Sequence, residues 1–178
     1  MSRRTPRDWV PSPQKTQAPN LIELLAAKHR EDLFWNEVKD GPTQTGTHIR
    51  LDALAIIKTW SPVRLIGYEV KVSRSDWLSD RKWERYKQLV NEFYLVAPES
   101  VVLPTEVPDG IGLIRPTKNG ARLRTERKAI YRHIDPPWSM LLYLLLFRTR
   151  SSDATADTRE LRIAEAIRWA EREDRAKT

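Results

Sequence analysis

The chain contains no cysteine in 178 residues. That absence removes thiolate nucleophiles, cysteine-ligated zinc and disulfides, and it sets the expectation of a reducing, cytoplasmic location. Histidine is scarce too. His29, His48 and His133 stand apart, with no His-x-His or His-Asn-His pattern for histidine-based nucleolytic chemistry. Glycine is limited to six residues. Gly110-x-Gly112 is a turn fragment and not a phosphate cradle, which argues against ATP-driven chemistry. No apolar run approaches the roughly 20 residues of a membrane span. The stretch from Pro137 to Phe147 reads as a buried helix or an oligomer contact, so a homodimer through C-terminal helices is open. The basic N-terminus lacks an apolar h-region, so no signal peptide and no membrane partner are expected.

What the chain does have is positive charge. Thirty-one Lys and Arg against 24 Asp and Glu give a formal charge of +7, with a pI of about 9.8. Such an excess favours polyanion partners through steering and counterion release, and it equally describes a solvated basic surface. With 40% apolar residues and seven Trp, the chain can bury a core. Its length suits one domain with appendages.

Residues 1–19 carry four prolines and four basic residues, a pattern predicting a flexible basic arm. Asn20 before Leu21-Ile22-Glu23-Leu24-Leu25 predicts a helix from Leu21 to about Arg30. Strands are predicted at Phe34–Val38, His48–Ile57, Val63–Ser73 and Glu92–Ala97, with short ones at Gly110–Ile114 and Arg122–Arg124. Asp80 reads as the N-cap of a helix from Arg81 to about Val90, with Trp83, Tyr86 and Leu89 or Val90 on its inner face. An apolar helix after Pro137 and an amphipathic helix from about Thr158 to Arg175 close the chain. The predicted organisation is an α/β core over 20–135 with a mixed sheet, and a helical extension over 136–178.

Asp52 is an acid on an otherwise apolar strand, and Glu69 and Lys71 share one face of the next. A hairpin turning at Trp60 and Ser61 would place positions summing to about 121 opposite each other, Asp52 and Glu69 among them. Opposed side chains have Cβ atoms about 4.5–5.5 Å apart. Two carboxylates that close repel unless one is protonated or a cation bridges them. Mg²⁺ suits the gap, with the Val70 backbone carbonyl as a further ligand, and Lys71 would offset charge developing on phosphorus. The plain alternative is a half-exposed strand with a Glu-Lys-Ser polar face, and a one-residue slip would turn Asp52 away.

Asp52 followed by Glu69-Val70-Lys71 resembles the PD-(D/E)XK nuclease superfamily, with Leu51 in place of the usual proline. The strings Gly67-Tyr-Glu-Val-Lys-Val-Ser-Arg-Ser-Asp-Trp77 and Asp80-Arg-Lys-Trp83, with Tyr86 and Phe93-Tyr94, look more narrowly like the MmcB-like DNA repair group and its phage relatives. The resemblance covers about residues 21–115. It implies a restriction-endonuclease-like core: a helix, a three-strand meander, a helix and a further strand. It also implies a Mg²⁺- or Mn²⁺-dependent deoxyribonuclease with Asp52 and Glu69 as metal ligands and Lys71 as the catalytic lysine. Many members place a Glu on the first helix, which makes Glu23 a candidate, although Asn20-x-x-Glu23 also has capping-box spacing. Glu37 on the first strand is a further candidate, or a solvated strand acid. Arg74, Lys82, Arg85 and Lys87 are candidate DNA phosphate contacts. Ser73 and Ser75, and with them Asp76 and Asp80, read more simply as caps. The alternative function is a non-catalytic DNA-binding module on the same fold.

Overall fold

A computed structural model describes residues 17–41, 49–59, 62–80 and 83–148. The N-terminal arm up to residue 16, the Trp60-Ser61 turn, Lys82 and the amphipathic 158–175 segment lie outside the described residues. Six strands form one mixed sheet in sequence order: β1 (Leu33–Lys39), β2 (Arg50–Ile57), β3 (Arg64–Val70), β4 (Glu92–Val96), β5 (Gly112–Pro116) and β6 (Leu123–Arg127). Pairing is antiparallel for β1–β2, β2–β3 and β5–β6, and parallel for β3–β4 and β4–β5. The expected α/β architecture with a mixed sheet is therefore what the chain forms.

Helix α1 (Ala18–Lys28) begins earlier than predicted. Gln17 is its N-cap and Pro19 lies in its first turn, where a missing N–H is harmless. Asn20 is inside the helix, so it does not cap it, and the capping box with Glu23 does not form. Leu21 and Leu25 bury against Ala53, Ala55, Ile66, Tyr68, Val70 and Val96, which places α1 on one face of the sheet.

The other face carries the larger apolar cluster. Leu54, Leu65, Phe93 and Leu95 pack there against Trp77, Tyr86, Leu89, Val90, Met140 and Leu144. The helix predicted over 81–90 is present from Trp83 to Leu89 among the described residues, and a second helix that was not predicted lies before it. Helix α2 (Arg74–Ser79) precedes Asp80, and α3 (Trp83–Tyr86) runs into a 3₁₀ turn at Lys87–Leu89. Tyr86, Leu89 and Val90 are buried as the apolar spacing predicts. Helix α4 (Trp138–Tyr143) continues as a π-helical turn over Leu144–Arg148. Among the described residues no helix is long and apolar enough to cross a membrane.

Two glycines in the central strands are set by close approach. A Cβ on Gly112 would lie 2.2 Å from the Tyr94 ring and 2.8 Å from the Ala129 backbone nitrogen. Backbone cannot step aside as a side-chain tip can, so Gly112→Ala is expected to cost about 1–3 kcal/mol. Urea denaturation with an unchanged m-value would check this. On β3, a Cβ at Gly67 would meet Val90 at 3.0 Å and Phe93 at 3.2 Å, so the bare backbone lets the α3–β4 connection press onto the strand just before Glu69.

Candidate functional site

The β2–β3 hairpin pairs Ala53 with Tyr68, Leu54 with Gly67, Ala55 with Ile66 and Ile56 with Leu65, and each pair of positions adds to 121. The next positions in that register are Asp52 and Glu69. Alternation puts Glu69 on the face of Gly67 and Leu65, away from α1. The ladder stops at Ala53 and Tyr68, and Asp52 takes over the next donor. Its Oδ2 accepts the Val70 N–H at 2.8 Å.

Lys71 lies one residue past β3 and is anchored through its N–H to the Val96 carbonyl at 3.0 Å. Its side chain is buried. Nζ donates to Glu69 Oε1 at 2.9 Å and to Asp80 Oδ2 at 2.5 Å, and lies 3.6 Å from Asp76 Oδ2. The last two acids are delivered by α2. Trp77, its buried residue, anchors the helix in the apolar cluster, and residues four apart share a helix face. Asp76 and Asp80 therefore turn toward Lys71 together. The reading of Asp76 as an N-cap is corrected, since it sits in the first turn of α2 behind Ser73. Asp80 follows the last residue of α2, and the start of the helix it was expected to cap lies outside the described residues. The sequence signal was the four-residue spacing of two acids around a tryptophan. It was obscured because Asp80 also suits the start of the next helix.

Three carboxylates thus lie around one ammonium, and the charge of Asp52 acts on the same group from its seat on the Val70 N–H. Burial pushes the Glu69 carboxyl up to about 8, the Asp52 charge adds to that rise, and Lys71 opposes it. Burial also raises Asp52, against the pull of the Val70 N–H. For Lys71, burial favours the neutral amine, but the hydrogen bonds to Asp80 and Glu69 outweigh it and hold the proton on. The Tyr86 phenol is pushed up to about 12, by burial first and then by Glu69, Asp80 and Asp52. Glu69 Oε2 is buried and has no hydrogen-bond partner. A carboxylate oxygen in that state is costly and calls for a proton or a cation.

Among the described residues no three acids or histidines already converge as a ready metal cage. Glu69, Asp76 and Asp80 are instead drawn onto Lys71. The donor set nevertheless suits a hard divalent cation, which takes one or two carboxylates and keeps several waters. Asp52 and the orphaned oxygen of Glu69 are the groups that would hold it.

The remaining candidates are spread out. Glu23 is exposed on α1, which packs on the opposite face of the sheet. Glu37 occupies the β1 position across from Asp52, but its φ of 49° is left-handed. Its exposed carboxylate lies 3.7 Å from Arg50. Arg74 is not offered to a phosphate: its guanidinium forks onto the Glu106 carboxylate and reaches the Val101 carbonyl at 3.0 Å. Arg85 is exposed on α3, and Lys87 lies 5.4 Å above the Trp83 ring. Beyond these residues, His29 is not isolated in space. On the α1 face its Nδ1 meets Asp32 at 2.8 Å and its Nε2 meets the buried Tyr68 hydroxyl at 2.5 Å. That network satisfies polar groups that a central strand would otherwise bury bare.

No protein-family model matches the chain, and no curated protein matches it either. Among solved structures it is similar to the SPO1766 protein of unknown function from Silicibacter pomeroyi. The identity is 15% and the TM-score 0.53, with 80% of this chain and 98% of that one covered. This likeness concerns the fold alone.

Proposed function

We propose that the chain is a divalent-metal-dependent deoxyribonuclease with a restriction-endonuclease-like core, acting in DNA repair or in phage or bacterial DNA processing. The observation that carries the reading is the buried, unpartnered Glu69 Oε2 beside Asp52 and Lys71. A buried carboxyl beside a half-buried one, both with raised affinity for protons, has the same unmet need for positive charge that a metal satisfies. The element order supports the fold part: a helix, an antiparallel β1–β2–β3 meander, helices and then the parallel strand β4.

In this reading Asp52, Glu69 and the Val70 carbonyl hold Mg²⁺ or Mn²⁺, which when bound polarises a phosphoryl oxygen and acidifies a water. Lys71, whose ammonium the cluster keeps charged, offsets negative charge developing on phosphorus. Asp80 positions that ammonium against Glu69. Arg85 and Lys87 provide phosphate contacts outside the cluster, and Lys82 is a further candidate on its charge alone. Asp80→Asn is expected to lower kcat by about 10–100-fold, as loss of an orienting partner does, with KM for DNA unchanged. Single-turnover cleavage over a DNA concentration series measures both.

The deciding experiment incubates the full chain with plasmid, single-stranded and branched DNA in Mg²⁺, Mn²⁺ or EDTA. Cleavage in metal that disappears in EDTA and in Asp52→Ala supports the enzyme. One observation favours the second reading, a non-catalytic DNA-binding module: Lys71 is fully engaged by acids in the resting cluster. Salt-sensitive DNA binding without cleavage in either metal would establish that module instead.

A further inference from the structure

Between the edge strand β1 and the α4 end of the chain lies an apolar groove of about 560 Å³, lined mainly by Leu33, Phe34, Trp35, Ile56, Leu141 and Leu145. Leu33 is 44% exposed and Leu145 62% exposed, so an uncovered apolar strip runs along the groove. Contiguous surface of this kind marks a place where something docks. The described chain ends at this groove. Arg148 Nη2 donates to the Asn36 carbonyl at 2.7 Å, and the Trp35 indole N–H donates to the Arg148 carbonyl at 3.4 Å. Residues 149–178 follow directly from this point, and over 158–175 their sequence carries Ile163, Ala166, Ile167 and Ala170 at i, i+3, i+4 and i+7 spacing.

We infer that the segment 158–175 docks as an amphipathic helix into this groove of its own chain, laying the Ile163–Ala170 stripe against Leu33, Phe34 and Leu145. Three arguments support that occupant. The residues between Arg148 and Thr158, at up to about 3.3–3.6 Å each, reach far enough to turn the segment back along the groove. A tether this short gives an effective concentration in the millimolar range, so modest apolar burial suffices where a separate molecule would need far more. An amphipathic helix takes most of its stability in a protein from a packed apolar face, so the stripe on this segment gains by finding one. Docking also explains why β1, an edge strand, has apolar side chains on an open flank.

Hydrogen exchange on the full-length chain tests this. In the wild type, amides within 160–172 are expected to exchange at least about tenfold more slowly than an unstructured segment, independent of protein concentration. Ile167→Asp is expected to return them to unstructured rates and to speed exchange over 141–147. Leu145→Asp, at an already exposed position, is expected to release the segment while protection of β3 and β4 stays as in the wild type. Unprotected amides over 160–172 in the wild type would overturn the inference. So would protection that survives both substitutions, or protection that appears only as concentration rises, which would mean that a second copy fills the groove.

Discussion

Lys71→Met is expected to abolish cleavage and to destabilise the fold by about 3–5 kcal/mol at neutral pH. Lys71 Nζ is the only ammonium among the described contacts of Glu69 and Asp80, and it lies within 2.9 Å of both carboxylates. Methionine fills a similar volume, so cavity formation does not confuse the result. What remains is the buried Glu69 carboxyl and the largely buried Asp80 carboxylate without this ammonium. They must take up protons or draw in water, and either response costs stability. The deficit should shrink toward pH 4, as protonation of the acids in both states progressively removes the charge that Lys71 compensates. Guanidinium unfolding at pH 7.5 and pH 4 measures it. Equal stability of the variant and the wild type at pH 7.5 would mean that the lysine does not hold the cluster together.

Glu69→Gln is expected to abolish cleavage as fully while moving stability the other way. The Glu69 carboxyl ionises near the ordinary value of 4.5 in the unfolded chain and only at about 8 in the folded one. Between those values the folded state binds the extra proton, so the wild type in EDTA loses stability as pH rises from 4.5 toward 8. Glutamine removes that slope, because it stays neutral and still offers an oxygen to Lys71. The two proteins should be equally stable near pH 4, and the variant should be more stable at pH 8. Thermal midpoints in EDTA at the two pH values give the comparison. A variant less stable than the wild type at pH 8 would show that the Lys71 ion pair outweighs burial and the Asp52 charge. Two substitutions two residues apart thus share one effect on activity and differ in sign on stability, a pattern that general loss of packing does not produce.

The alternation of apolar side chains made the strands legible: Glu92–Val96 and Arg50–Ile57 lie close to where periodicity alone puts them. The hairpin register was legible too, because two apolar strands joined by a short polar turn admit few pairings that bury both. Helix boundaries were not. Asn20 offered a cap, but Pro19 is as good at the start of a helix as before one, and α1 begins at Ala18. Helix α2 was missed because Ser73-Arg74-Ser75-Asp76 has the composition of a turn and only Trp77 supplies a buried contact. Missing that helix meant missing Asp76 and Asp80 as partners of Lys71, since their approach depends on tertiary packing. Arg74 shows the same limit: its basic charge suggested a phosphate contact, and only the fold reveals Glu106 opposite it. The local acid–lysine pattern was in the chain, and the acids that complete its surroundings lie only a few residues further on, brought back to Lys71 by a helix the pattern did not reveal.

The central claim is that Asp52 and Glu69 hold a divalent cation. Crystals soaked in Mn²⁺ and measured for anomalous scattering test it most directly. The account predicts an anomalous peak at coordination distance, about 2.0–2.2 Å, from the Asp52 and Glu69 carboxylates. It also predicts that the peak is missing from Glu69→Gln crystals treated alike. An empty map at these carboxylates in well-soaked wild-type crystals, or a peak that persists in the variant, would contradict it.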